Sequence, residues 1–254
     1  MSVKALSTCL MAIAVFSSCA FADVTFTGSS GLLSASVTFV VSNTTLKVSL
    51  VNTSVGDPVG PADILSAVLW DMTGNPELGK VSANSCPNCT IKYAPQQTTS
   101  YGASGGDVGG EWGYLAGDLG GGVTQHEGLS SMGAGNFGVG TRFNTTNLQD
   151  PDALDGIEYG IAPITDTTAN DNGGLKGSSP QYLVVNQVDF VLSLPVGYSG
   201  TISNVRFQYG TAFDEPHFSA PEASSLTLLG FWLAVTSLAI TFLAVRKTLA
   251  ERHR

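Results

Sequence analysis

The residues with the clearest chemical potential are two cysteines separated by two positions, Cys86 and Cys89. In an exported protein such a close pair most simply forms a local disulfide that pins a turn. A redox site would need the first cysteine at a helix N-terminus, but residues 90–95 are β-prone and end at a proline. A zinc site would need four ligands, and only His126 and His217 could complete it, at a spacing that fits no finger pattern. The pair therefore predicts a disulfide, with redox and zinc chemistry as alternatives.

Ser104 is the centre of a G-x-S-x-G match at residues 102–106. A serine nucleophile of this type needs a sharp turn between a strand and a helix, with a histidine and a carboxylate behind it. The match lies among glycines, with no strong strand before it and no helix after it, so we expect an ordinary loop.

Carboxylate pairs that could serve glycoside hydrolysis are Asp107 with Glu111, Asp150 with Asp152, and Asp214 with Glu215. Any acidic domain offers such pairs, so a secreted hydrolase is only an alternative.

Five aspartates on turn-rich stretches are candidates for metal binding. They are Asp150, Asp152, Asp155, Asp166 and Asp171. Ca²⁺ prefers several oxygen donors on turns, as these stretches provide. Neither stretch fits the EF-hand loop, because in the first one position five is a leucine and the glycine falls one residue late. We expect solvated turns and no obligatory cofactor, with Ca²⁺ as the one cofactor to consider.

Composition and charge limit the possible functions. Charged residues make up 12% of the 254 residues, about half the usual share. Acidic residues outnumber basic ones by 20 to 11 without a basic cluster in the body, which excludes a nucleic-acid-binding protein. Residues 23–220 carry 6 basic and 18 acidic side chains, a net charge of −12. We expect this body to be soluble and to repel anionic polymers unless cations bridge them.

The elements that must position these residues are strands. Alternation of apolar and polar residues, with many β-branched and aromatic side chains, predicts half-buried strands. The runs are residues 37–41, 46–51, 184–194 and 202–209, and the apolar run 64–70 is a further strand candidate. Residues 195–200 are rich in turn-forming types and are predicted to join the last two runs as a hairpin. Residues 23–220 are therefore predicted to form one mainly β domain, an antiparallel sandwich with a jelly roll or partial barrel as relatives.

A glycine-rich segment, residues 101–140, holds 15 of the 30 glycines. Glycine packs little and costs backbone entropy, so we expect a long surface loop. Exposed aromatic residues in this segment, Trp112 and Tyr114, would serve an alternative function. That alternative is a Ca²⁺-dependent carbohydrate-binding module that grips exopolysaccharide.

The N-terminal segment, residues 1–22, predicts export. One early positive charge, Lys4, is followed by the short apolar run 9–16 and by small residues that end in Ala20-Phe21-Ala22. These are the parts of a secretory signal peptide, and the apolar run is too short to span a bilayer. We expect cleavage after Ala22 by the Sec-type export pathway. Lipidation at Cys19 is the alternative.

The C-terminal segment predicts a membrane anchor. Residues 226–245 are 20 positions without a charge, and a helix of that length covers about 30 Å, the thickness of the hydrocarbon core. Basic residues that keep a tail on the cytoplasmic side follow the span. They are Arg246, Lys247, Arg252 and Arg254. The sequence therefore predicts a transmembrane helix with a cytoplasmic C-terminus and the body on the exported side.

Residues 221–254 resemble the PEP-CTERM sorting signal of Gram-negative bacteria. The resemblance rests on Pro221-Glu222-Ala223, the stretch 224–230, the apolar span and the terminal basic cluster, in matching order and spacing. The family's motif is most often Pro-Glu-Pro, so Ala223 is a departure that bears on processing. The resemblance implies recognition by an exosortase, a membrane-embedded cysteine protease. It also implies delivery to the cell surface or extracellular matrix, often in species that make exopolysaccharide.

Three stretches of the body, residues 45–54, 64–71 and 205–211, are also similar to strands of other exosortase-dependent surface proteins. The main hypothesis is a non-enzymatic exported protein that is first anchored in the inner membrane and then sorted to the surface or matrix. The expected partners are the export machinery, an exosortase, the inner membrane and exopolysaccharide.

Overall fold

The computed structural model describes residues 23–93, 97–100, 105–133, 148, 154, 156–166, 175 and 182–222. This part of the chain contains fourteen strands and a single 3-10 turn at Pro61–Asp63, and no α-helix. The strands are β1 (Val24–Ser30), β2 (Leu33–Ser42), β3 (Thr45–Asn52), β4 (Leu65–Met72), β5 (Gly79–Ser85), β6 (Thr90–Tyr93), β7 (Gln97–Ser100), β8 (Gly113–Ala116), β9 (Glu127–Ser130), β10 (Ile161–Ala162), β11 (Leu183–Val185), β12 (Gln187–Ser193), β13 (Ile202–Tyr209) and β14 (His217–Ser219).

The strands form two sheets. The first has the order β1-β2-β3-β12-β5, and all its neighbours are antiparallel. The second has the order β14-β13-β4-β10-β11-β6-β7, with β9 on the same side of β4 as β10, and β8 beside β9. Within the described strands only β10 and β11 pair in parallel. The expectation of a mainly β domain with antiparallel sheets is therefore confirmed.

The main core lies between the two sheets. Alternate residues of β2, β3 and β12 point inward, as their period-two pattern predicts, and they meet the inward residues of β4 and β13. Phe39 and Trp70 contact each other across the core with ring centroids 5.3 Å apart. The rings of Trp112 and Phe190 also contact each other, with centroids 4.9 Å apart. Each such side chain contributes roughly 1.5–3 kcal/mol by its burial, so this shared core holds the sheets together.

Strand β4 is the centre of the second sheet and is buried on both faces, with Asp71 as its one half-buried residue. Its inward side chains belong to the main core. Ala67 and Leu69 point the other way and pack in a second cluster with Leu119, Met132 and Phe213. Loops therefore cover this face of the second sheet, which explains why the strand is mostly apolar on both faces.

Two chain segments change sheets at one corner. The predicted run 184–194 is not one strand, because Asn186 adopts φ +84° and separates β11 in the second sheet from β12 in the first. Beside it, residues 86–89 connect β5 in the first sheet to β6 in the second.

The prediction of a hairpin at 195–200 is also wrong, because these residues lead from β12 in the first sheet to β13 in the second.

The described part of the glycine-rich segment is not one long surface loop. It contributes β8 and β9, which extend the second sheet beside β4, and all of their residues are buried or half-buried. Gly105 has φ +69°, and a Cβ there would overlap the carbonyl oxygen of Ser85. The glycine is needed because the backbone packs directly against β5. Small residues in this segment permit close packing, which composition alone did not indicate.

Candidate functional site

Many of the predicted site residues lie outside the described residues. These are Ala20, Ala22, Ser104, Asp150, Asp152, Asp155, Asp171, Ala223, Arg246, Lys247, Arg252 and Arg254, with the predicted span 226–245. In the part that the structure does describe, no helix is long and apolar enough to cross a membrane.

Cys86 and Cys89 form a disulfide at the corner between the sheets. Both side chains are buried, and the side-chain amide of Asn186 donates to their Sγ atoms at 3.7 and 3.9 Å. Strand β6 begins at Thr90 directly after the pair, so no helix N-terminus is present to lower a thiol pKa. The geometry is that of a structural crosslink in a corner.

Asp166 is the one calcium candidate among the described residues. Its side chain is fully buried, and the Lys92 ammonium lies 3.5 Å from Oδ2 and donates to the backbone carbonyl of the same residue. Lys92 therefore compensates the charge that a cation would otherwise balance. Across the described ranges, no three His, Cys, Asp or Glu side chains lie together as a metal site.

The expectation that Trp112 and Tyr114 are exposed is wrong. Trp112 is fully buried and its indole Nε1 donates to the carbonyl of Tyr159 at 3.1 Å. Tyr114 is 4% exposed, and its hydroxyl donates to the carboxylate of Glu127. Both rings belong to the core, so neither offers a stacking surface for a sugar.

The other candidate side chains stabilise local backbone. Glu215 Oε2 accepts from the amides of Thr211 and Ala212, the latter at 3.0 Å, and so closes the turn after β13. Asp107 Oδ1 accepts from the amide of Gly109 at 2.9 Å. Glu215 and Asp107, one member from each of two predicted carboxylate pairs, thus make turn contacts.

A connected polar site lies where the end of β4 is beside the starts of β9 and β13. We call Asp71, Gln125, His126, Asn204 and Glu222 the exit cluster, because Glu222 belongs to the predicted sorting motif. Asp71 Oδ1 accepts from the backbone N–H of His126 at 2.9 Å and lies 3.1 Å from the ring Nδ1, while Oδ2 accepts from Asn204 Nδ2 at 2.8 Å. Gln125 Nε2 donates to Asn204 Oδ1 at 3.1 Å. Burial alone would raise the pKa of Asp71, but these hydrogen bonds outweigh it and lower that pKa.

The exit cluster holds the end of the domain. Asn204 adopts φ +51°, and its backbone N–H donates to Glu222 Oε1 at 3.1 Å. The neighbouring amide of Ala220 donates to the carbonyl of Val205 at 2.8 Å, and Ala220 is buried. Glu222 of the predicted motif is therefore hydrogen-bonded to β13, and Pro221 lines a cavity with Thr27, Gly28 and Ser29 of β1.

A buried carboxyl lies directly behind the exit cluster. Glu127 is 1% exposed; its Oε2 accepts from Tyr114, and its Oε1 is buried without a partner in the described part of the chain. Burial raises the pKa of Glu127 to about 7, although the Tyr114 hydrogen bond and the nearby His126 act in the opposite direction. Burial and Glu127 also raise the pKa of Tyr114.

The hydrogen bonds of the exit cluster join β4, β13 and the residue before β9 to Glu222. Among the described residues, the His126 ring has Asp71 as its hydrogen-bond partner. Sequence analysis missed Asp71, Asn204 and Glu127 as members of one site. They are far apart in the chain, and only the pairing of β4 with β9 and β13 brings them together.

Comparisons with protein-family models, with curated proteins and with solved structures found no match to this chain.

Proposed function

We propose that this chain is a non-enzymatic exported protein whose C-terminal segment first anchors it in the inner membrane and then directs its sorting to the cell surface or matrix. The observation that carries the proposal is the arrangement of the two ends. Residues 1–22 have the parts of a signal peptide, and the uncharged span 226–245 is followed by four basic residues. The resemblance of residues 221–254 to a PEP-CTERM signal supports an exosortase as the processing partner.

The structure supports this division of the chain. Among the described residues, the strands of both sheets lie between Val24 and Ser219, and Ala220 still belongs to the main core. Cleavage close to Pro221 would therefore remove the anchor and leave the hydrogen-bonded sheets intact. We infer that the two packed sheets, a sandwich of jelly-roll type, are the delivered cargo and associate with exopolysaccharide.

One alternative loses its named residues. The carbohydrate-binding module was expected to use Trp112 and Tyr114, which are core residues. The named nucleophile of the alternative hydrolase, Ser104, lies outside the described residues. Binding of purified residues 23–220 to host polysaccharide, measured with and without Ca²⁺, tests the first alternative directly.

Membrane fractionation tests the anchor. The full chain should sediment with membranes, and a chain lacking residues 221–254 should appear in the soluble exported fraction. A matched control replaces the basic residues 246 and 247 with alanine and keeps the apolar span. That control should remain in the membrane fraction, since hydrophobic length determines insertion. Membrane retention of the truncated chain would refute the anchor.

A further inference from the structure

The predicted sorting motif begins on the folded domain. We call residues 217–222 the docked segment, which contains β14 and the first two motif residues, Pro221 and Glu222. Strand β14 pairs antiparallel with residues 206–208 of β13. The motif therefore follows a hydrogen-bonded strand with only Ala220 between them.

Hydrogen bonds to β13 continue beyond the end of β14. The amide of Ala220 donates to the carbonyl of Val205 at 2.8 Å, and Ala220 is buried in the main core. Two residues later, Glu222 Oε1 accepts from the backbone N–H of Asn204 at 3.1 Å. Both the backbone and a carboxylate of the docked segment are thus bound to β13.

Strand β1 encloses the docked segment from the other side. A Cβ at Gly28 would come within 2.9 Å of Phe218 Cδ2 and 3.5 Å of the Ala220 Cα, so both residues lie against the backbone of β1. Pro221 lines a cavity with residues 27–29 of the same strand. The docked segment is therefore held between β13 and β1, and the glycine at position 28 leaves the room that it needs.

A protease has to separate this segment from the domain before it can cleave at the motif. Cleavage of a folded protein proceeds through a transiently opened state, and its rate follows the population of that state when opening is fast. A chain end that is tied into a sheet opens less often than a free one. Opening at the motif here requires release of the Ala220 amide and the Glu222 carboxylate from β13.

We propose that the domain shields its own sorting motif, so that processing at the motif requires the docked segment to open locally from β13 and β1. The role of the motif in processing rests on the proposed function, whereas the docking is a property of the fold. Strand β14 is at the edge of the second sheet, so it can open while the pairing of the other strands is kept. The docking contacts therefore set how often the motif becomes available to a protease.

Glutamyl endopeptidase tests the shielding without the exosortase, because it cleaves after glutamate and therefore after Glu222. The substrate is the full exported chain in detergent micelles, and a synthetic peptide of residues 216–226 is the unshielded reference. Mass spectrometry follows the product that ends at Glu222. We expect the peptide to be cleaved about tenfold faster than the chain, or more. Equal rates in peptide and chain would overturn the shielding.

Gly28→Val and Ser30→Val form a matched pair of variants on β1, and both leave the docked segment's own sequence unchanged. Valine suits a strand at either position, and Ser30 is exposed, whereas a side chain at residue 28 would meet Phe218. Thermal unfolding first establishes that both variants fold. Gly28→Val should be cleaved after Glu222 about fivefold faster than the wild-type chain, and Ser30→Val at the wild-type rate. Wild-type cleavage of a folded Gly28→Val chain would show that β1 does not hold the segment. The comparison of chain with peptide needs no variant.

The same variants in the native host separate shielding from sorting. If both proposals hold, the released species should form faster from Gly28→Val than from the wild type or Ser30→Val. Absence of a released species from all three would refute exosortase sorting, while the endopeptidase rates would still decide the shielding. Equal release from all three, together with faster endopeptidase cleavage of Gly28→Val, would show that opening of the docked segment does not limit processing.

Discussion

Replacing Glu127 by glutamine should make the domain more stable at neutral and alkaline pH. Glu127 is almost completely buried between β4 and β8, and one of its carboxyl oxygens has no hydrogen-bond partner among the described residues. Glutamine has the shape of the protonated carboxyl group and can still accept from the Tyr114 hydroxyl. The substitution thus imitates the state that the buried site favours.

The size of the effect follows from the pKa of Glu127. Burial raises it from 4.5 to about 7 in the folded protein. The folded state therefore binds this proton more tightly than the unfolded state. The stabilisation that this bound proton gives the folded state is complete below about pH 4.5 and is lost as the pH rises through 7. The total change is about 3 kcal/mol.

Urea unfolding of residues 23–222 at several pH values between 4.5 and 8.5 measures this effect. At pH 8 the Glu127→Gln domain should be about 1–3 kcal/mol more stable than the wild type, and near pH 4.5 the two should agree within about 1 kcal/mol. Glu77→Gln removes the same charge from an exposed position and is the matched control. Parallel stability curves for wild type and Glu127→Gln over this range would refute the assignment of a buried proton to Glu127.

Three further predictions concern stability and can be checked by thermal or urea unfolding. Gly105→Ala should lower the free energy of unfolding by about 2–4 kcal/mol, because the new Cβ would overlap the backbone of β5. Gly117→Ala, at φ +94° in open space, should lower it by only about 1–2 kcal/mol. Equal losses in the two variants would contradict the close packing at Gly105. Asn52→Ala should lower the free energy of unfolding by about 1–3 kcal/mol, because the buried Asn52 amide donates to a β10 carbonyl at 2.7 Å. A loss below about 0.5 kcal/mol, which is the usual scatter of surface substitutions, would contradict this role. Joint replacement of Cys86 and Cys89 by alanine should cost no more than about 2 kcal/mol, since the disulfide closes a very short ring; loss of folding would contradict that estimate.

The strands that the sequence predicted are those with uninterrupted alternation. Strands β2, β3 and β13 each bury alternate residues on one face, so hydrophobic period alone locates them. Strand β4 was also found, because a mostly apolar run is typical of a strand covered on both faces. Strands β8 and β9 were missed because glycine dominates their surroundings, and their burial depends on contact with β4.

The corner and the exit cluster could not be predicted from local pattern. Asn186 interrupts an otherwise regular run, and nothing in its neighbourhood shows that the chain changes sheets there. Asp71 and Asn204 are joined only because β4 and β13 are neighbours, which is a property of the topology. The termini are the opposite case, since their composition predicts export and anchoring without any knowledge of the fold.

Intact mass and terminal sequencing of the protein from its native host test the central proposal most directly. Membrane and extracellular fractions should be compared in strains with and without the exosortase. We predict a released species that starts near Asp23 and ends near Pro221, and that disappears when the exosortase is absent. A single membrane species that retains Arg254 in both strains would contradict sorting and define a permanently anchored protein.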